Sequence, residues 1–250
     1  MILTIGCTFD QDGLKAYADD NASADILVLP ELSDGGYARL AHETGPAAEA
    51  DALLDRYAQV SRERGVTLIA GTLALPGEDG KVYNAAPVYS LGKRVAVFPK
   101  THLFRPLGDD RYFAAGRPGE TVTLNCQGQD VRIGVIVCYD LRFPEIVRPW
   151  FKSGLDILFV PARWPRVRDD VWRVLLQARA IENQCFVVGV NARDDEGGGS
   201  YAFDPGGAEV FALGPEPKTD DLPYYSFTID LEEIARVRAR LDTRIDACLL

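Results

Sequence analysis

Short runs rich in Val, Ile and Leu, each closed by a breaker or a charged residue, recur along almost the whole of this chain. They cover residues 2–9, 25–29, 66–74, 84–90, 94–98, 121–126, 131–138, 156–161 and 185–190, then 200–203, 209–213 and 224–229. Apolar runs of that length read as buried strands. Helical periodicity is scarcer. Ala50, Leu53, Tyr57 and Val60 step by three and four residues toward a helix stop at Gly65. Val171, Leu175, Ala178 and Ile181 step likewise behind Asp169 and Asp170, whose charges suit a helix N-terminus. Pro144 predicts the start of a further helix. Many strands with few helices predict two sheets packed together with helices outside. No Ser/Gly/Pro-rich linker or charge block divides the 250 residues, so a single domain over 1–250 is expected.

Three of these runs lead directly into a reactive side chain. Glu31 follows Asp-Ile-Leu-Val-Leu-Pro, Lys100 follows Arg-Val-Ala-Val-Phe-Pro, and Cys138 follows Arg-Ile-Gly-Val-Ile-Val. In open α/β sheets ligands bind beyond the carboxyl ends of the strands, where residues far apart in sequence can meet. A carboxylate, an ammonium and a thiol at one such edge supply a proton carrier, an anion stabiliser and a nucleophile. Those are the parts of covalent acyl chemistry.

The bulk numbers exclude several other classes. A net charge of −10 disfavours a nucleic-acid surface and a polybasic membrane contact. No apolar run approaches the ~20 residues of a membrane span. The first ten residues look like a strand rather than a signal peptide, which places the protein in the cytoplasm. The sequon at Asn21-Ala-Ser23 then carries no meaning. Five widely spaced cysteines without a C-x-x-C pair do not make a disulfide framework. Two histidines, His42 and His102, support no His-based metal site, and neither metal nor cofactor is expected. P-loop, G-x-G-x-x-G and G-x-S-x-G motifs are missing from the sequence, as is any internal repeat.

In their contexts the three residues carry a resemblance. The stretches are Leu29-Pro30-Glu31, the run Phe98-Pro-Lys-Thr-His-Leu-Phe104, and Gly134-Val-Ile-Val-Cys-Tyr-Asp-Leu-Arg-Phe-Pro-Glu145. Pro161-Ala-Arg-Trp-Pro165, Trp172, Ala178-Arg-Ala-Ile-Glu-Asn183 and Asn191 follow in order. Together they resemble the nitrilase superfamily of carbon–nitrogen hydrolases, most of all the amidase branch that includes ω-amidases. The resemblance implies an α/β fold, a four-layer αββα sandwich, and a homodimer. It also implies a thioester formed on Cys138, Glu31 as general base, and an oxyanion held by Lys100 and the backbone N–H of Tyr139. The substrate would be a small linear carboxamide, with water as co-substrate.

One position departs from that pattern. The family usually carries a second glutamate seven residues before a glycine, and counting back from Gly116 reaches Asp109. Asp110, one place later, is the alternative acid if the loop shifts register. Asp109 is one methylene short, which retracts its carboxylate by roughly an ångström, and such displacements can cost about 100-fold in rate.

The residues also carry their own chemistry. A free thiol is mostly protonated at neutral pH; Lys100 beside Cys138 would favour the thiolate, and Glu31 would accept the proton. Arg105 near the lysine loop can grip a substrate carboxylate bidentately or form a surface salt bridge. Arg142 and Arg163 add to an Arg-rich setting that suits an acidic substrate. Asp140, Arg142 and Glu145 are expected to form buried ion pairs that fix the turn after the nucleophile. Trp164 can line the pocket or pack in the core. His102 is read as a loop-ordering group and His42 as an exposed loop residue. Nitrile and N-carbamoyl amino acid hydrolysis use the same three residues. A non-catalytic binding member of the fold and a redox-responsive cysteine protein are the readings from other classes.

Overall fold

The computed structural model of the chain describes residues 1–20, 22–37, 50–193, 197–216 and 222–247. Its strands form two sheets. The first holds β1 (Ile2–Thr8), β2 (Ile26–Val28), β3 (Thr67–Ile69), β4 (Leu73–Pro76), β5 (Val82–Ser90), β6 (Lys93–Pro99) and β13 (Tyr224–Asp230), in the order β13-β1-β2-β3-β5-β4 with β6 also paired to β5. The second runs β12 (Glu209–Leu213), β11 (Ser200–Phe203), β10 (Phe186–Asn191), β9 (Ile157–Ala162), β8 (Gln129–Val135), β7 (Val122–Cys126). Each sheet is parallel at its centre, β1-β2-β3 in one and β8-β9-β10 in the other, with antiparallel neighbours.

Alternation along the strands sorts side chains into layers. Ile26, Val28 and Ile69 face the other sheet and join Leu3, Ile5, Val131, Ile133 and Val135 in one apolar core. Leu27, Leu29 and Leu68, one residue out of phase, point the other way. There they meet Leu14 and Tyr17 of the helix Gln11–Asp19, and Tyr57 and Val60 of the helix Ala50–Glu63. On the outside of the second sheet Gly189 of β10 lies under Trp172 and Leu176 of the helix Asp169–Asn183. Helix, sheet, sheet, helix is an αββα sandwich. Burying a Leu, Ile or Val side chain is worth about 1.5–3 kcal/mol, and most of these are fully buried, so the four layers hold one another.

Several expectations needed correction. The run 66–74 is two strands, because Gly71 takes φ +61 and a Cβ there would stand 1.9 Å from the Pro30 carbonyl oxygen. The run 131–138 stops pairing at Val135, and Cys138 opens a 3-10 turn, Cys138–Arg142. Pro144 starts only the 3-10 turn Pro144–Ile146; the helix Arg148–Lys152 follows separately. Three helices escaped the sequence reading, among them the short Asp109–Tyr112. Gln11–Asp19 is signalled by Asp10, whose carboxylate accepts from Gly13 N at 2.7 Å. Glu232–Arg240 buries Ile234 alone, and glutamates and arginines fill most of its other positions.

Candidate active site

The strand directions bring the site together. β2 is parallel to β3, and β5 is antiparallel to both β3 and β6, so β2 and β6 end at the same edge. Glu31 follows β2 and Lys100 follows β6, while Cys138 and Arg163 follow β8 and β9 of the other sheet. The Glu31 segment is seated by the break in the 66–74 run. Thr72 N donates to Pro30 O at 3.3 Å, and Leu32 N donates to Thr72 Oγ1 at 2.9 Å. Gly71 makes that approach possible.

A buried charge cluster results. Lys100 Nζ donates to Glu31 Oε1 and to Asp109 Oδ2, both at 2.7 Å, and all three side chains are 0% exposed. Asn84 Nδ2 also donates to Glu31 Oε1, at 2.8 Å, and the Arg163 backbone N–H donates to Glu31 Oε2 at 3.1 Å. Asp109 Oδ2 is fixed further by Phe104 N at 2.8 Å, whereas Asp109 Oδ1 is buried with no hydrogen-bond partner among the described residues. Burial alone would push the Lys100 ammonium down, but the negative charge of Glu31, reinforced by Tyr37, Cys138 and Asp109, holds it well above the ordinary lysine value.

Cys138 stands against this cluster in a left-handed backbone conformation, φ +47. Burial and then the Glu31 carboxylate push its thiol well above the usual range; Lys100 and the Arg163 N–H pull the other way and lose. The resting group is a thiol. Lys100 favours the thiolate, as expected from the sequence, but burial and the Glu31 carboxylate outweigh it.

Comparison with known proteins decides the family. The carbon–nitrogen hydrolase profile matches residues 12–239. The chain belongs to the carbon–nitrogen hydrolase family. Among its relatives is the 2-oxoglutaramate amidase of Bacillus subtilis (strain 168), 34% identical over 230 residues, or 88% of this chain and 83% of that one. The omega-amidase YafV of Escherichia coli (strain K12) is 34% identical over 179 residues, 71% of this chain and 65% of that one. Among solved structures, XC1258 from Xanthomonas campestris, a CN-hydrolase superfamily protein with an arsenic adduct in the active site, superposes with a TM-score of 0.81. It is 27% identical, and the match covers 99% of this chain and 97% of that one.

Around the cluster, this carbon–nitrogen hydrolase distributes the other expected residues unevenly. Asp110 is exposed and lines a cavity of about 540 Å³. Arg105, His102, Tyr139 and Phe143 line the same cavity, Tyr139 being the residue after Cys138. Arg142 is exposed, with its guanidinium 4.9 Å from the Trp164 ring centroid. Trp164 is 3% exposed, donates from Nε1 to Arg168 O at 2.9 Å and packs on Trp172. The buried ion pairs expected of Asp140, Arg142 and Glu145 do not form. Arg142 and Glu145 face solvent, and Asp140 accepts from backbone N–H groups and His102 instead. Arg179, 4% exposed, braces the turn Cys138–Arg142 by donating to Leu141 O at 2.7 Å and pairs with Glu182. His42 lies outside the described residues.

Sequence reading missed three groups here. Asn84 is a polar residue amid the buried stretch of β5, which was the available signal. Arg163 was expected to serve an acidic substrate, but Nε donates to Glu31 O at 3.0 Å and one terminal nitrogen to Leu32 O at 3.3 Å. Tyr37 gave no signal. It packs with Leu32 and Phe113, and burial followed by the Glu31 carboxylate pushes its hydroxyl well above the usual tyrosine range.

Proposed function

We propose that this enzyme is a thiol amidase of the ω-amidase type, which releases ammonia from a small linear carboxamide through a thioester on Cys138. The observation that carries the reading is the buried Glu31–Lys100–Asp109 cluster set against Cys138, whose thiol burial and the Glu31 carboxylate push up. A thiol must lose its proton as it attacks, and Glu31 is the carboxylate in place to take it. Sγ bonds to the amide carbon and the carbonyl becomes an oxyanion. Of the three hydrogens of the Lys100 ammonium, Glu31 and Asp109 engage two among the described residues; the third and the Tyr139 N–H serve the oxyanion. Asp109 Oδ1 accepts from the amide N–H. Collapse breaks the C–N bond, and the proton held by Glu31 leaves with ammonia. Water, deprotonated by Glu31, then cleaves the thioester to a carboxylic acid and the free thiol.

The relatives named for 2-oxoglutaramate and for omega-amides support a substrate that carries a carboxylate at its far end. Arg105, exposed in the cavity beside Tyr139, is the cation we assign to it. The test is an ammonia-release screen over ω-amides of dicarboxylic acids, carbamoyl amino acids and nitriles, with Cys138→Ala as blank. Ammonia from ω-amides alone is the expected result, with KM raised about tenfold by Arg105→Ala at a nearly unchanged kcat, a loss in the range of a charged hydrogen bond. Release that survives in the blank would sink the reading.

The homodimer implied by the resemblance has a face to use. Val174 and Ile181, 62% and 51% exposed, repeat with Val171 and Ala178 in steps of three and four along one side of the helix Asp169–Asn183, and Val167, 89% exposed, lies in the turn just before it. Light scattering on Val174→Asp is expected to show a monomer where the parent is a dimer. A cytoplasmic location is supported by the free, buried thiols of Cys7, Cys126, Cys138 and Cys185. Among the described residues no helix is long and apolar enough to cross a membrane.

A further inference from the structure

The reacting groups belong to two different sheets. Glu31 and Lys100 follow strands of the first, and Cys138 follows a strand of the second. Attack therefore depends on how the two sheets are held at this edge, and apolar packing between them is poorly suited to fix a polar geometry to a fraction of an ångström. One polar tie is already described: Arg163, after β9 of the second sheet, donates its backbone N–H to Glu31. It positions the base.

A second tie runs through Asp140, which is 1% exposed. Its Oδ2 accepts from Val137 N at 3.1 Å and Thr101 N at 3.3 Å. Its Oδ1 accepts from His102 N at 2.7 Å and lies 3.0 Å from His102 Nδ1. Val137 directly precedes the nucleophile, and Thr101 and His102 directly follow the lysine. One carboxylate thus joins the two backbones that carry Cys138 and Lys100, and its four contacts match the roughly four lone-pair sites of an ionised carboxyl group. The His102 ring then stacks on Phe143, at the end of the same turn, with centroids 3.7 Å apart and planes 9° from parallel. Phe143 in turn meets Tyr139 edge-on. The left-handed conformation of Cys138 is one that a non-glycine residue keeps only where its surroundings impose it.

We propose that Asp140 is a positioning residue, which with His102 holds the nucleophile and the Tyr139 N–H of one sheet in register with Lys100 of the other. The inference rests on the amidase reading above. A merely structural carboxylate would affect stability and leave the tetrahedral geometry alone, so the two roles separate in what they change.

The experiment compares the parent, Asp140→Asn and His102→Ala on the best amide found in the screen, together with binding of the corresponding aldehyde, which forms a tetrahedral adduct on the thiol. Asparagine keeps the shape but turns an NH2 group toward two of the four donors. Its kcat is expected to fall about 100-fold with KM changed less than about threefold, since misplacement by an ångström has that size of effect. Aldehyde affinity should fall by the same factor as kcat/KM. His102→Ala, which keeps the backbone contacts, should lose about tenfold in kcat, with a melting temperature close to the parent's. It also keeps the proposal testable should Asp140→Asn fail to fold. An active parent with kcat unchanged in His102→Ala, or with aldehyde affinity unchanged in a folded Asp140→Asn, overturns the positioning role and leaves the amidase reading standing. A parent without turnover on any amide overturns both.

Discussion

Asp109 reaches Lys100 with a hydrogen bond of 2.7 Å although it is one methylene shorter than the residue the family pattern calls for. It stands at the first turn of the short helix Asp109–Tyr112, and Phe104 N–H holds the same oxygen that meets the ammonium. The site has closed around the shorter acid.

A longer acid should therefore not improve the enzyme. In Asp109→Glu the added methylene enters a fully buried space, and overpacking of that kind costs about 1–3 kcal/mol. Activity measured by ammonia release is expected to fall at least about tenfold, the equivalent of 1.4 kcal/mol. A large gain would show that the aspartate is a defect rather than a refitted part.

Thiolate content and catalysis should come apart at Glu31. Because its carboxylate is, after burial, the main influence raising the Cys138 thiol, Glu31→Gln moves that ionisation toward the ordinary range. Iodoacetamide at pH 8 should alkylate Cys138 faster in this variant than in the parent, while amide turnover falls at least about 100-fold with loss of the proton carrier. Faster alkylation together with undiminished turnover contradicts the assignment of the base.

Gly71 is the backbone support of Glu31. Any side chain at φ +61 is strained, and a Cβ here meets the Pro30 carbonyl. Gly71→Ala should displace Glu31 and reduce kcat by about 100-fold or more. A crystal structure of the variant with Pro30 and Glu31 unmoved would remove this explanation.

Stability should decline as alkali is added. Burial pushes the thiols of Cys7 and Cys185 up to about 12. Above the ordinary thiol value the unfolded chain releases protons that the native chain retains, so unfolding becomes easier with rising pH. The slope is up to about 1.4 kcal/mol per pH unit for each thiol. Urea titrations at pH 8 and pH 10.5 should show this loss, and Cys185→Ala should reduce it; an equal slope in that variant would remove Cys185 from the account.

What was legible in the sequence follows from where each signal resides. Glu31, Lys100 and Cys138 were found because each closes an apolar run, and a strand end is visible as a pattern. The Arg163 contact to Glu31 is made by a backbone N–H, which every residue but proline carries, so no side chain announces it. The split at Gly71 was hidden because Ala70 and Thr72 are buried as well and the apolar run continues through the bend. The sign of the thiol's shift required the geometry. Lys100 does favour the thiolate, but full burial and the Glu31 carboxylate outweigh it, and the degree of burial is not written in sequence order.

The central claim is an acyl group carried on Cys138, and acid-quenched intact-mass spectrometry during turnover of a linear ω-amide tests it most directly. The account predicts an adduct equal to the mass of the substrate less that of ammonia, confined to the peptide that contains Cys138 and missing from Cys138→Ala. Ammonia release that continues in Cys138→Ala, or an acyl group found on another residue, would contradict it.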